Sequence, residues 1–476
     1  MSGVSRRSFL KTAGAASVAG ALGGAFPLAR GAEDIRNPER PPNILVFLTD
    51  DHRDDILGCA GHPIVQTPVI DGLAEAGVRF RHPFVTTPIC AAGRASVLTG
   101  LTERTHGYTF GTPPISQSHT DTSYPVQLRE HGYRTGLTGK FGVGVEGDGR
   151  QRMFDFFEPV NRHPYWHEQP DGTFLHETDV CANHAIDFLR DNPADQPFCL
   201  SVSFNAPHAE DGDRRPGVGH FPWPKSAHKY YHTMEMPEPR LNDPEIFESQ
   251  PDFLKESLNR VRYNWRWDTS EKYQTNMRAY FRMITGIDYA MGRVLDTLEE
   301  QGLADNTVVI FTGDNGYYLG ERGFAGKWSH YEQSLRVPLV IYDPRMPEAA
   351  RGTVPEGMAL NTDLAPTMLE LAGIETPGIY QGRSLVPWMA GEEPGEWRTD
   401  FFCEHLFDHD QIPKWEGVRD ERYVYARYFE HGYEFLHDLE EDPDQLKNVA
   451  DDPEYADVLE DMRERCEEFI AEYEDA

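Results

Sequence analysis

The sequence predicts an α/β protein in which a large mixed, mostly parallel sheet is sandwiched by helices and followed by a smaller C-terminal α+β domain. Three observations carry that expectation. Asn43 to Thr49 and Thr307 to Thr312 are continuous apolar runs, the pattern of strands covered on both faces. Met277, Tyr280, Phe281, Ile284, Ile287, Met291, Val294, Leu295 and Leu298 recur at intervals of three and four, the stripe of a long amphipathic helix that stops at Gly302. Alternation of such strands and helices requires crossovers, and crossovers lay helices on both faces of a parallel sheet.

The remaining elements follow in chain order. Ser5, Arg6, Arg7, Ser8, Phe9, Leu10 and Lys11 precede a mild apolar run from Thr12 to Phe26, so residues 1–31 read as a twin-arginine signal peptide. The run is too short and too glycine-rich to span a bilayer, which predicts export by the twin-arginine translocase to the periplasm or beyond without stable membrane insertion. Val69 to Ala76 reads as a short helix capped by Thr67 with Pro68 at its first position. Phe198 to Phe204 and Pro338 to Tyr342 are further candidate strands. Residues 38–376 are expected to form the catalytic domain, carrying an aperiodic insertion at about 211–268 rich in Pro, His, Trp and Tyr. Residues 377–476 form the expected C-terminal unit, with strands at Tyr423 to Tyr428 and Tyr433 to Leu439 and a closing helix marked by Tyr455, Leu459, Met462, Cys466, Phe469 and Tyr473.

Composition narrows the function. The chain of 476 residues is 39% apolar with a formal net charge of −33, and its mean hydropathy is −0.58. Such an acidic surface does not neutralise a phosphate backbone, which argues against nucleic acid as a partner. An anionic substrate therefore needs a local, focused positive site. Nine lysines stand against thirty-six arginines, so a lysine inside a motif is informative. The six cysteines, Cys59, Cys90, Cys181, Cys199, Cys403 and Cys466, show no paired or metal-ligand spacing.

Both long strands end in oxygen-bearing residues: Asp50 and Asp51 after the first, Asp314 and Asn315 after the second. Brought together, they suit a hard divalent cation such as Ca²⁺ or Mg²⁺; apart, each pair is an ordinary solvated turn. Between them runs Pro88-Ile89-Cys90-Ala91-Ala92-Gly93-Arg94-Ala95-Ser96-Val97-Leu98-Thr99-Gly100, where Cys90 opens a helix and Arg94 lies one turn along the same face. These residues alone leave two readings open, an activated thiol or a small buried cysteine in a cap.

Cys90, Ala92, Arg94, Leu98, Thr99 and Gly100, at their present spacing, resemble the signature of the formylglycine-dependent type I sulfatases of the alkaline-phosphatase-like superfamily. The resemblance extends through Asn43 to Asp51, Thr67 to Phe80, Gly139 and Lys140, Pro207 and His208, Thr312 to Gly316, Lys327 with Tyr331 and Glu332, and the ending from Tyr433 to Asn448. It implies that a formylglycine-generating enzyme oxidises Cys90, and that one oxygen of the aldehyde hydrate attacks a sulfate ester. It also implies that Asp50, Asp51, Cys90, Asp314 and Asn315 hold one cation, calcium in preference to magnesium. By the same resemblance Arg94, Lys140 and Lys327 stabilise the transition state, and His208 serves the departing alcohol. The implied substrate is a sulfated saccharide.

Three positions depart from the family. Ala92 and Gly93 replace the usual proline and serine, and Gly142 stands where a histidine usually follows the first lysine by two residues. His52 and His330 are the candidates to replace that histidine. The aromatic residues of the insertion, His220, Trp223, His228, Tyr230, Tyr231 and His232, form with Trp328 and His330 either a sugar-binding rim or ordinary packing. Two other functions compete with sulfate ester hydrolysis: phosphate or phosphonate ester hydrolysis on the same scaffold, and glycan binding by an inactive homologue whose Cys90 stays a thiol.

Overall fold

A computed structural model of the chain describes residues 35–36, 40–110, 113–212, 220–474 and 476. The twin-arginine segment lies outside the described residues. The central sheet has seven strands: β1 (Asn43–Thr49), β2 (Val78–Arg79), β3 (Arg134–Gly139), β4 (Phe156–Pro159), β5 (Phe198–Ser203), β6 (Thr307–Gly313) and β7 (Leu339–Tyr342). Their spatial order is β2-β7-β6-β1-β5-β3-β4. All pairings are parallel except those of β7 with β6 and with β2.

β1 is apolar along its whole length because it lies at the centre with helices on both sides. Leu45 and Phe47 point into one core and Ile44 and Val46 into the other, the alternation that a pleated strand imposes. The first core is closed by α1 (Pro68–Ala76), by a helix from Glu177 to Arg190, and by the long helix Ser270–Glu300. The second is closed by α2 (Cys90–Thr99), by a helix from Tyr124 to Glu130, and by one from Leu364 to Leu371. Thr67 does not cap α1 as expected. Its hydroxyl links the Gly58 N–H to Asp71, and the first amides of α1, Val69 and Ile70, instead donate to Asp288 Oδ1 of the long helix, 2.9 Å each. That places an anion at the helix N-terminus, where it is most stabilising.

Register fixes the functional edge. Thr49 stands opposite Gly313, and Leu48 opposite Ser203. The three central strands thus finish level, and the residues that follow emerge side by side at the carboxyl edge, where ligands of open α/β sheets bind.

Among its described residues the aperiodic stretch 211–268 contains a 3-10 turn, Lys225–Ala227, and short α-helices at Pro244–Glu248, Asp252–Lys255 and Leu258–Arg266, which the sequence reading did not anticipate. The C-terminal unit is an antiparallel sheet of four strands, β8 (Asp400–His405), β9 (Trp415–Asp420), β10 (Tyr423–Tyr428) and β11 (Tyr433–Asp438), covered by a helix from Ala456 to Glu474. Leu459, Met462 and Cys466 of that helix are buried against the sheet. All six cysteines are free thiols, and Cys181 and Cys199 pack as small apolar side chains.

Candidate active site

The turn after β1 holds Asp50 and Asp51 at zero exposure. Asp51 adopts φ +62°, a left-handed conformation that a non-glycine residue keeps only when its surroundings enforce it. Tyr280 of the long helix donates to the Asp51 carbonyl at 2.7 Å, and Asn315 Nδ2 donates to Asp51 Oδ1 at 2.8 Å. Asp314 and Asn315 follow β6 and are equally buried.

Cys90 opens α2, every residue of which is buried. Gly93 lets this helix sit against the end of β6, since a Cβ there would lie 2.4 Å from the Asp314 carbonyl oxygen. One turn on, Arg94 Nε donates to Asp314 Oδ2 at 2.7 Å, and its Nη1 donates to the Lys140 carbonyl at 2.8 Å and to Ser203 Oγ. Lys140 Nζ lies 2.5 Å from Asp50 Oδ2. Lys327 Nζ pairs with Asp51 Oδ1 and lies 3.7 Å from Asp50 Oδ1. His208 Nε2 lies 3.5 Å from Asp51 Oδ2. The sequence-predicted residues Asp50, Asp51, Cys90, Arg94, Lys140, His208, Asp314, Asn315 and Lys327 thus converge at the edge of the central strands.

Three carboxylates face three permanent cations. Burial raises the Asp50 carboxyl, but Lys140, His208, Lys327 and Arg94 overcome it and hold the group well below the ordinary range. Burial and the neighbouring Asp50 push Asp314 up to about 6 against Arg94. Burial also opposes the charge of Lys327, yet Asp51 and Asp50 hold its ammonium protonated. Burial, together with Arg162, lowers His208 to about 3, so its imidazole is neutral near pH 7.

The donor set fits a hard cation. Asp50 Oδ1, Asp51 Oδ2 and Asn315 Oδ1 are buried oxygens without a hydrogen-bond donor, a costly state unless a cation satisfies them. Ligand atoms of Asp50, Cys90 and Asp314 lie within 4.8 Å of one another. Oxygen ligands of this kind select calcium or magnesium over softer metals.

A cavity of about 850 Å³ opens over Cys90, Lys140, His208 and Lys327. Its walls include residues that sequence reasoning did not single out: Arg162 after β4, Arg262 on the helix Leu258–Arg266, and Phe407, His409 and Ile412 from the C-terminal unit. The C-terminal unit also supports Lys327. Trp415 Nε1 donates to the Trp328 carbonyl at 2.8 Å while Asn259 Nδ2 donates to the Lys327 carbonyl at 2.6 Å, and Trp328 adopts φ +78°.

The proposed histidine substitutes do not line the cavity. His52 packs edge-on against Phe311, and His330 is buried between Tyr428 and His437. Of the aromatic residues proposed for a rim, only Trp328 reaches it. His220 is buried with its amide on Asn276, Tyr231 bonds Thr285, and Trp223 stacks on His228 under Arg282. These residues pack on Asn276, Phe281, Arg282 and Thr285 of the long helix.

Residues 42–374 match the sulfatase family. The chain belongs to that family. This sulfatase also matches the C-terminal region of N-sulphoglucosamine sulphohydrolase over residues 320–472, and the twin-arginine signal over residues 3–23. It is therefore exported through that pathway to the periplasm or outside. No helix among the described residues is long and apolar enough to cross a membrane. The sulfatase is 27% identical to the N-acetylglucosamine-6-O-sulfatase of Bacteroides thetaiotaomicron, with 95% of this chain and 90% of that protein covered. It is 28% identical to an arylsulfatase of Clostridium perfringens over 89% of this chain and 93% of that one. Among solved structures, one in complex with its substrate D-glucosamine-2-N,6-O-disulfate superposes with a TM-score of 0.76 at 24% identity, covering 92% and 99% of the two chains. The phosphonate monoester hydrolase of Agrobacterium radiobacter superposes with a TM-score of 0.69 at 24% identity, covering 91% and 96%. These likenesses establish the shared alkaline-phosphatase-like fold.

Proposed function

We propose that this sulfatase releases inorganic sulfate from a sulfated saccharide, with Cys90 converted to formylglycine as the nucleophilic residue. The observation that carries the reading is the convergence of Arg94, Lys140 and Lys327 with three buried carboxylates around the first residue of α2. The names of the glucosamine sulfatase relatives support a saccharide substrate.

Asp50, Asp51, Asp314 and Asn315, with the converted Cys90, are the residues that would hold a divalent cation, calcium in preference to magnesium. Such a cation supplies Lewis-acid stabilisation of charge on the sulfate oxygens. Formylglycine at position 90 would supply, as its hydrate, one hydroxyl as the nucleophile and a second through which sulfate could leave, an exit that serine or cysteine lacks.

The chain's own residues do the rest. Charge grows on the equatorial sulfonyl oxygens as sulfur becomes five-coordinate, and fixed cations in a buried site stabilise it without reorganisation. Arg94 is held rigid by Asp314, Ser203 and the Lys140 carbonyl. Lys140 and Lys327 are held by Asp50 and Asp51. His208, which lines the cavity beside Lys140 and Lys327, is the residue that would serve the departing oxygen. Its Nδ1 lies 2.8 Å from Arg162 Nη1, a donor, and 2.7 Å from the Ala209 carbonyl oxygen, an acceptor, and these two contacts fix the ring beside the cavity.

The test is sulfate release from a panel of sulfated mono- and oligosaccharides, combined with the mass of the peptide bearing Cys90 from the native host. Conversion of the CH2SH side chain to CHO removes one sulfur and two hydrogens and adds one oxygen, a mass that also distinguishes formylglycine from serine. An intact thiol in sulfate-releasing protein refutes the nucleophile, and faster turnover of aryl phosphate or phosphonate than of aryl sulfate refutes the substrate class.

A further inference from the structure

We propose that Arg162 and Arg262 form a second anion subsite, which selects sugars carrying another sulfate or a carboxylate on the same residue as the ester to be cleaved. The inference deepens the proposed function and rests on it.

Both guanidiniums line the cavity that contains Cys90. Neither belongs to the cluster that binds the scissile group. Arg162 stands in the turn after β4, and among the described residues its only hydrogen bond goes to His208 Nδ1 at 2.8 Å. A guanidinium carries five N–H donors, so Arg162 has donors to spare. Arg262 gives one nitrogen to Asp211 at 3.1 Å, lies 4.8 Å above the Trp328 ring, and keeps a buried Nε without a hydrogen-bond acceptor. Asp211 also bonds Arg266. One carboxylate thus faces several guanidiniums along this wall, in a protein whose overall charge is −33. A concentration of arginine beside a sulfate-ester site answers a negative group, and planar guanidinium is the side chain suited to sulfate and carboxylate.

Position narrows the ligand further. Arg162 touches His208, the residue assigned to the leaving oxygen, so an anion bound by Arg162 lies on the leaving-group side of the scissile ester. The short reach from His208 to Arg162 places that anion on the same monosaccharide, not on a distant residue of a polymer. The apolar wall beside it, Trp328 with Leu258 and Ile412, leaves room for a sugar ring between the two anion sites.

The experiment compares N-acetylglucosamine 6-sulfate with N-sulfoglucosamine 6-sulfate, which differ by one negative group, and uses 4-nitrophenyl sulfate as a control with none. Turnover is measured on the purified holoenzyme, and binding by calorimetry on a Cys90→Ala protein. The inference expects wild type to favour the doubly anionic sugar by roughly 10- to 100-fold in kcat/KM, as charge-assisted hydrogen bonds imply. Arg162→Gln and Arg262→Gln are each expected to lower that preference about tenfold, mainly through KM, with Arg162→Lys keeping part of it. In the Cys90→Ala background the same substitutions are expected to weaken binding of the doubly anionic sugar more than that of the singly anionic one. A wild type that does not discriminate between the two sugars in turnover or binding overturns the subsite while leaving sulfatase activity standing. An equal loss on both sugars in the arginine variants also overturns it, because Arg162 then acts only through His208. Failure of the wild type to hydrolyse 4-nitrophenyl sulfate or either sugar refutes the proposed function itself, and the subsite with it.

Discussion

A Cβ on Gly142 would lie 3.0 Å from Arg94 Cδ and 3.2 Å from Lys140 Cε, and the residue holds φ +73°. The family's histidine is absent here, and any side chain at this position would press on Arg94 and Lys140, two of the cations that the proposed function uses. Gly142→Ala is expected to destabilise the protein by about 1–2 kcal/mol, the cost of a left-handed residue with a Cβ. Gly142→His is expected to lower sulfate release by displacing Arg94, not to raise it by supplying a base. Thermal unfolding and initial rates check both, and a faster Gly142→His enzyme refutes the argument.

Arg94 makes three directed bonds at once, to Asp314, the Lys140 carbonyl and Ser203. Lysine retains the charge but lacks the planar fork. Arg94→Lys is expected to lower kcat by about 100-fold or more, the scale for losing one preorganised transition-state donor. Circular dichroism should show the fold retained. A drop of less than threefold would mean that charge alone suffices.

The strands that carry the site were legible because burial on both faces writes itself as an uninterrupted apolar run, as in Ile44 to Leu48, and because the acidic residues stand immediately after such runs. Spacing within α2 tied Arg94 to Cys90 for the same local reason. What lay outside sequence reasoning was set by tertiary contact. Arg162 and Arg262 are two of thirty-six arginines in segments without periodicity, and nothing local distinguishes them. Asn259 and Trp415 reach the Lys327 segment from 68 and 87 positions away. The aromatic residues of the insertion carried a composition that suits a sugar rim and a helix cover equally, and only packing against the long helix decided between them.

Unsatisfied oxygens on Asp50, Asp51 and Asn315 predict that cation binding contributes to folding stability. A ligand that binds only the folded state at 100 times its Kd adds about 2.7 kcal/mol. Calcium is expected to raise the Tm of metal-stripped wild type by several degrees. Asp314→Asn, which removes a ligand charge, is expected to lose most of that increment. Calorimetric scans with and without calcium check it, together with metal content per chain. An equal increment in wild type and variant would place the cation elsewhere.

Glu404 on β8 ties the C-terminal sheet to the segment after α2 through Arg104, accepting from its amide at 2.8 Å and from its Nε at 3.0 Å. Burial outweighs the Arg104 guanidinium and lifts the Glu404 carboxyl from the usual 4.5 to about 7. Glu103, buried beside Glu404, is raised as well. The folded protein thus holds a proton here that the unfolded chain releases between pH 4.5 and pH 7, so this group's contribution is fully present below pH 4.5 and is lost as pH rises through 7. The expected size is on the order of 1–3 kcal/mol. Glu404→Gln mimics the protonated form at every pH. The stability of wild type relative to this variant should therefore fall between pH 5 and pH 8, read from denaturant midpoints at several pH values. A difference that stays flat, or that grows with pH, would show that Arg104 keeps Glu404 ionised throughout.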